Sequence, residues 1–145
     1  MTRETDQEAR LLARAPEIAA LARRHELGLV VLFGSSARDA ARPGSDADVG
    51  VLRADGRRLT YRELAAMYNG LAELVEPSLG RPLDLADLAT DDAIFRREVA
   101  RDGRVLFEDR GGRWVEFVTY ALIDYADIEP WIAACVEGVK RAARS

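Results

Sequence analysis

Apolar residues recur along this chain in two rhythms that alternate. From Pro16 the positions Ile18, Leu21 and Ala22 fall on one face at helical spacing, and proline suits the first turn, which predicts a helix from Pro16 to about Leu27. Leu29–Phe33, "LVVLF", is a continuous apolar run of strand length between Gly28 and Gly34, and reads as a buried strand. "ADVGVL", Ala47 to Leu52, predicts the next strand, after a Ser-Ala-Arg segment and the Pro43-Gly44 turn signal. Tyr61, Leu64, Ala65, Tyr68, Leu71, Ala72 and Val75 then recur at three and four, a helical stripe facing a core, with Thr60 as its cap and Gly80 as its stop. "RPLDLADL" predicts a third strand, Asp91 to Arg101 a helix, and "RVLFE" a fourth strand. Beyond Gly111-Gly112 the rhythm is purely helical, through Trp114, Phe117, Val118, Ala121 and Tyr125, then Ile128, Ile132, Cys135 and Val139. An α/β body, about 16–108, is thus followed by a helical tail, about 112–145, with no linker long enough to separate them.

Size and charge narrow the options. The 145 residues suit one domain and leave no room for a separate substrate domain. Hydrophobic residues at 48% and charged residues at 32% describe a folded chain rather than a disordered one. A net charge of −4 argues against broad electrostatic attachment to nucleic acid or an anionic membrane. No run approaches the roughly 20 apolar residues of a membrane span, and "MTRETDQEARLL" has no apolar signal core, so a cytoplasmic setting is expected. Cys135, the one cysteine, excludes an internal disulfide, and "WIAACVEGV" suits a buried core residue better than a reactive thiol. His25, the one histidine, suits a surface or helix-end position.

The chemistry concentrates in "DADVGVL". On a strand Asp46 and Asp48 point to the same side, about 6.5–7 Å apart along the chain, while Ala47, Val49 and Val51 point to the opposite, buried side. Two carboxylates so placed repel, and a cation between them relieves the repulsion. Mg²⁺ is the natural candidate, because it binds through one or two carboxylates together with substrate phosphates. A calcium loop does not fit, since Val51 would occupy the glycine position and Arg57 the glutamate position; a Walker-type loop does not fit either, since no Gly-Lys-Ser/Thr follows Gly34. Gly34-Ser35 still has phosphate-binding potential. It follows a buried strand and opens "SSARDAA", whose helical start would offer backbone N–H groups, with a hydroxyl from Ser35 and a positive charge from Arg38 one turn on. Taken singly, each feature has a plainer reading: Ser35 as a helix cap, Arg38 as a solvated arginine, the aspartates as turn residues.

Together they resemble a known signature. Gly34-Ser35, ten residues, then Asp46-x-Asp48 is similar to the signature of the DNA polymerase β-like nucleotidyltransferase superfamily, and the fuller "GSSAR" through Ser45 to "DADVGV" resembles its minimal branch. The resemblance implies an α+β fold with a mixed sheet flanked by helices, two metal-binding aspartates on one strand and a third carboxylate on a neighbour. Asp84, which leaves the apolar face set by Leu83 and Leu85, is the best match for the third, with Asp87 as its rival. It further implies that Asp46, Asp48 and Asp84 hold two Mg²⁺ ions, that Asp84 takes the acceptor's proton, and that Gly34, Ser35, Arg38 and Ser45 contact the nucleotide, ATP. Asp39, where the branch often has glycine, and Gly50, where a larger residue is usual, depart from the pattern.

The acceptor is read from the resemblance alone. Minimal nucleotidyltransferases are commonly paired with a HEPN protein, as antitoxins that transfer AMP to a tyrosine of a HEPN toxin, and that is the role expected here. A small-molecule nucleotidyltransferase working as a homodimer, and a non-catalytic antitoxin acting by contact, are the alternatives. The tail's Trp114, Phe117, Tyr120, Tyr125 and Trp131 are its aromatic anchors, either for the core or for a partner.

Overall fold

The computed structural model describes residues 3–34 and 45–144. Its elements run α1 (Arg3–Leu12), α2 (Ala15–Arg24), β1 (Leu27–Phe33), β2 (Ala47–Arg53), α3 (Tyr61–Leu79), β3 (Leu83–Asp87), α4 (Ala93–Asp102), β4 (Arg104–Glu108) and α5 (Arg113–Arg144). The strands form one sheet in the order β3-β2-β1-β4. β1 runs antiparallel to both β2 and β4, whereas β2 and β3 are parallel and α3 makes the crossover between them. This is the mixed sheet flanked by helices that the family resemblance implies.

The uninterrupted apolar run of β1 is explained by its central place, with cores on both faces. On one face Val30, Leu32, Ala47, Val49 and Val51 pack with Ile18 of α2 and with Met67, Leu71 and Val75 of α3. On the other, Leu29 and Val31 meet Val99 of α4, Phe117 of α5 and Leu88. Gly50 lies on this second face. A Cβ there would sit 2.5 Å from Leu88 Cδ2, so the glycine makes room for the leucine that follows β3.

One helix lies beyond the sequence reading and three expectations need correction. In α1 Leu11 is wholly buried, and two leucines beside a polar stretch make too short a stripe to register as periodic. α2 ends at Arg24, with His25 at its C-cap, because Glu26 turns the backbone to φ +57° and β1 starts at Leu27. The α3 stripe is buried only in its second half; Tyr61 and Tyr68 are exposed, since the first turns of α3 overhang the edge strand β3. Cys135 is exposed rather than buried. α5 is 32 residues long, about 48 Å at helical rise, and outruns the body that could cover it.

Candidate active site

Three strand ends converge at one edge of the sheet. β1 finishes at Phe33, whose register partner is Asp48 near the start of β2. β3 begins alongside, with Ala47 opposite Leu83 and Asp48 opposite Asp84. Register partners on parallel strands share a face, so the apolar side chains of Ala47 and Leu83 turn into the core while the carboxylates of Asp48 and Asp84 emerge together on the other side. Backbone bonds fix this register at both ends, Ala47 N–H donating to Pro82 O at 2.7 Å and Leu88 N–H to Val51 O at 2.8 Å. Asp46 precedes the strand and is exposed, and Ser45 beside it is half-buried.

The electrostatics follow from this crowding. Asp48 is pushed up to about 6 from its ordinary 3.8, first by burial, then by the charge of Asp84, by a side-chain hydrogen bond with Asp84 and by the charge of Asp46; Arg81 opposes the rise. Burial and the neighbouring carboxylates thus disfavour the charged form of Asp48, and a cation bound beside it would relieve the same repulsion. Among the described residues no group of three or more His, Cys, Asp or Glu is arranged as a ready-made metal cage. The donor set of two adjacent carboxylates plus an exposed third fits a hard cation that completes its shell with phosphate oxygens.

Gly34 has a structural duty here that the sequence does not reveal. Its φ is +72°, and a Cβ would overlap Asp48 Oδ2, so glycine both makes the turn and leaves space for the carboxylate. Asp87, by contrast, is directed to the loops: its carboxylate accepts from Leu59 N–H at 2.8 Å and from Ala89 N–H at 3.0 Å. Its register partner is Val51, three positions along β2 from Asp48. Ser35 and Arg38, like Asp39, lie outside the described residues.

Two recesses flank the carboxylates. One, of about 180 Å³, lies between Phe33, Gly34, Asp48 and the end of α4, where Glu98, Arg101 and Asp102 line it. The other, of about 510 Å³, is bounded by Tyr61, Leu64, Ala65 and Tyr68 of α3 and by Leu83, Asp84 and Leu85 of β3. Tyr68 is held in its wall by donating to Leu83 O at 2.9 Å. A third recess, of about 460 Å³ near Arg57, Thr90 and Phe117, lies at the opposite end of β2 and β3, away from the carboxylates. Nothing in the sequence marks Arg81, Arg101 or Tyr61 as neighbours of the aspartates. Arg81 hides in the turn before β3, and the tyrosines read as core.

The fold has relatives. The family model "Polymerase beta, Nucleotidyltransferase" matches residues 17–110. No curated protein matches the chain. A toxin–antitoxin crystal structure with AMP-PNP superposes with a TM-score of 0.68 at 23% identity, covering 87% of this chain and 98% of that one. A rebuilt structure of a tri-AMPylated Shewanella oneidensis HEPN toxin in complex with MNT antitoxin gives 0.65 at 21%, covering 90% and 98%. The toxin–antitoxin MntA-HepT gives 0.63 at 22%, covering 88% and 97%. At these identities the likeness is one of fold. The family match spans the whole sheet, including the aspartate-bearing strands β2 and β3, and on that ground the chain belongs to the polymerase beta nucleotidyltransferase family.

Proposed function

We propose that the chain transfers AMP from ATP to a tyrosine hydroxyl of a partner HEPN toxin, in the cytoplasm, and thereby acts as the antitoxin of the pair. The observation that carries the reading is the register of Asp48 with Asp84, which sets two carboxylates side by side at the strand ends next to Gly34. The partner is suggested by the like-folded MNT antitoxin, whose HEPN toxin is tri-AMPylated. Among the described residues no helix is long and apolar enough to cross a membrane.

In this mechanism the acceptor oxygen attacks the α-phosphorus, a new P–O bond forms, the bridging bond to the β-phosphate breaks, and pyrophosphate leaves. Asp84, exposed on the edge strand, receives the acceptor's proton. Asp46 and Asp48, with Asp84, would hold Mg²⁺, which supplies neutralisation of phosphate charge and a more acidic acceptor hydroxyl. Gly34 keeps Asp48 in place and lets phosphate approach the backbone, and Ser35, Ser45 and Arg38 contact the triphosphate. The aromatic recess beside Asp84 suits a phenolic acceptor, with Tyr61 and Tyr68 as its walls.

The test is co-expression with the HEPN protein encoded next door, followed by intact mass of both chains. One or more AMP units on the toxin, lost with Asp46→Asn plus Asp48→Asn, is the expected result. Transfer to a hydroxylated small molecule with no toxin modification would overturn the acceptor. Full neutralisation of the toxin by the double Asn variant would overturn catalysis as the means of neutralisation.

A further inference from the structure

The second half of α5 carries an apolar stripe far from the carboxylates. Beyond Tyr125, which lies under the Arg97 guanidinium 4.9 Å from its ring centre, the helix continues past α4. Ile128, Trp131, Ile132, Cys135, Val139 and Ala142 follow at intervals of three and four and fall on one side. Trp131 is 75% exposed and Val139 70%. Scattered exposed apolar residues are ordinary, but a continuous stripe that includes a tryptophan marks an interface.

The charges beside the stripe identify its occupant. On one flank Asp127 lies toward the beginning of the segment and Arg141 toward its end; on the other, Glu129 lies toward the beginning and Lys140 toward the end. Each flank is thus acidic first and basic last. An antiparallel copy of the same helix presents the reverse order, and in two-fold pairing each flank faces its own counterpart. Matching Asp127 with Arg141 of a second copy centres the two-fold on Ala134, and matching Glu129 with Lys140 centres it between Ala134 and Cys135. The two centres differ by half a residue, about 0.75 Å of helical rise, which long basic side chains span. With the centre between Ala134 and Cys135, Trp131 lies over Gly138 of the other copy, where a Cβ would meet nothing within 4 Å and the indole finds space. Cys135 lies next to the axis.

We propose that α5 is the dimerisation element of this protein, pairing antiparallel with a second copy through Ile128–Ala142 and leaving the carboxylate sites of both copies open. Lys140 and Glu137 form an exposed pair at 3.7 Å within the helix, which an intermolecular bond to Glu129 would replace or share. The proposal does not depend on the acceptor of the transfer reaction. A toxin helix on the same stripe is the competing occupant.

The experiment uses the full chain. Light scattering after size exclusion, at tens of micromolar protein, should give the mass of a dimer. Arg141→Glu should shift the chain toward monomer, and Asp127→Arg combined with Arg141→Glu should restore the dimer, which a merely structural role for either residue would not do. Mild copper-catalysed oxidation should link Cys135 to Cys135 between copies in the parent and in the swapped pair, weakly in Arg141→Glu, and not in Cys135→Ser. A monomer at these concentrations would overturn the proposal, as would a dimer and a crosslink that ignore both charge changes. Circular dichroism of each variant separates loss of pairing from loss of fold. Protection of Trp131 fluorescence only when the toxin is added would assign the stripe to the toxin instead.

Discussion

Asp48 is placed where ionisation and folding oppose each other. Its carboxyl titrates near 6 in the fold against 3.8 ordinarily, so between those values the folded chain binds more protons than the unfolded one. Stability of the cation-free protein therefore falls as pH rises from about 4 to about 6, and is flat above. A shift of about two units corresponds to ~3 kcal/mol for an enclosed group. Asp48 is only partly enclosed, and solvent screening reduces this to about 1 kcal/mol. Asp48→Asn should accordingly stabilise the protein by about 1 kcal/mol at pH 7.5 in urea titrations with chelator, and by nothing at pH 4, while abolishing transfer. Equal stability of the two chains at pH 7.5 would show that burial and Asp84 do not act on Asp48 as described. Arg81 is the counterweight. Arg81→Ala should move the acidic limb of the transfer rate toward higher pH, because it removes the positive charge that holds Asp48 down. A pH–rate profile superimposable on the parent's would remove Arg81 from the site's electrostatics.

The elements that position the site depend on a few local devices. α3 begins at a capping box: Thr60 Oγ1 accepts from Glu63 N–H at 3.1 Å and the Glu63 carboxylate accepts from Thr60 N–H at 2.8 Å. Thr60→Ala should lower stability by about 1 kcal/mol and loosen the turn that carries Tyr61. Thermal melts give the first effect, and an increased KM for the acceptor at unchanged ATP affinity gives the second. Gly50→Ala should cost about 1–3 kcal/mol through collision with Leu88, and pairing it with Leu88→Ala should cost less than the two changes summed. These devices differ in how readily sequence discloses them. Thr60, Gly80 and the runs of β1, β2 and β4 are local signals, each written within a few residues, and the elements lie where the sequence places them. The closeness of Asp48 to Asp84 is not local: it depends on a parallel register across the whole of α3, and only a family signature makes it visible from sequence. The first half of the α3 stripe misled for the same reason. Periodicity reports that residues share a face, not whether another element covers it.

At the scale of the molecule, the covered and uncovered parts of α5 divide the protein's work. Phe117 packs into the second core with Val99 of α4 and Leu29 and Val31 of β1, Ala121 is wholly buried, and Arg96 reaches Asp124 at 2.8 Å, so the first three turns are part of the body. Arg113 belongs there too, donating to Ala54 O at 2.6 Å and to Asp109 at 3.0 Å. From Glu129 onward every described side chain except Ile132 is exposed. Such a segment contributes helical propensity but little burial, and most helical stability in proteins comes from packing. A chain ending at Glu129 should therefore unfold within about 2 °C of the parent at low concentration. It should also lose the concentration dependence that a dimer imposes on the parent's midpoint, since binding stabilises only by mass action. Scans at 1 and 100 μM of both chains make the comparison. A truncated chain that melts far lower at 1 μM would mean that the distal helix supports the body directly. A parent midpoint independent of concentration would mean that the stripe has no second copy to bind, and that its tryptophan and valine await a different partner.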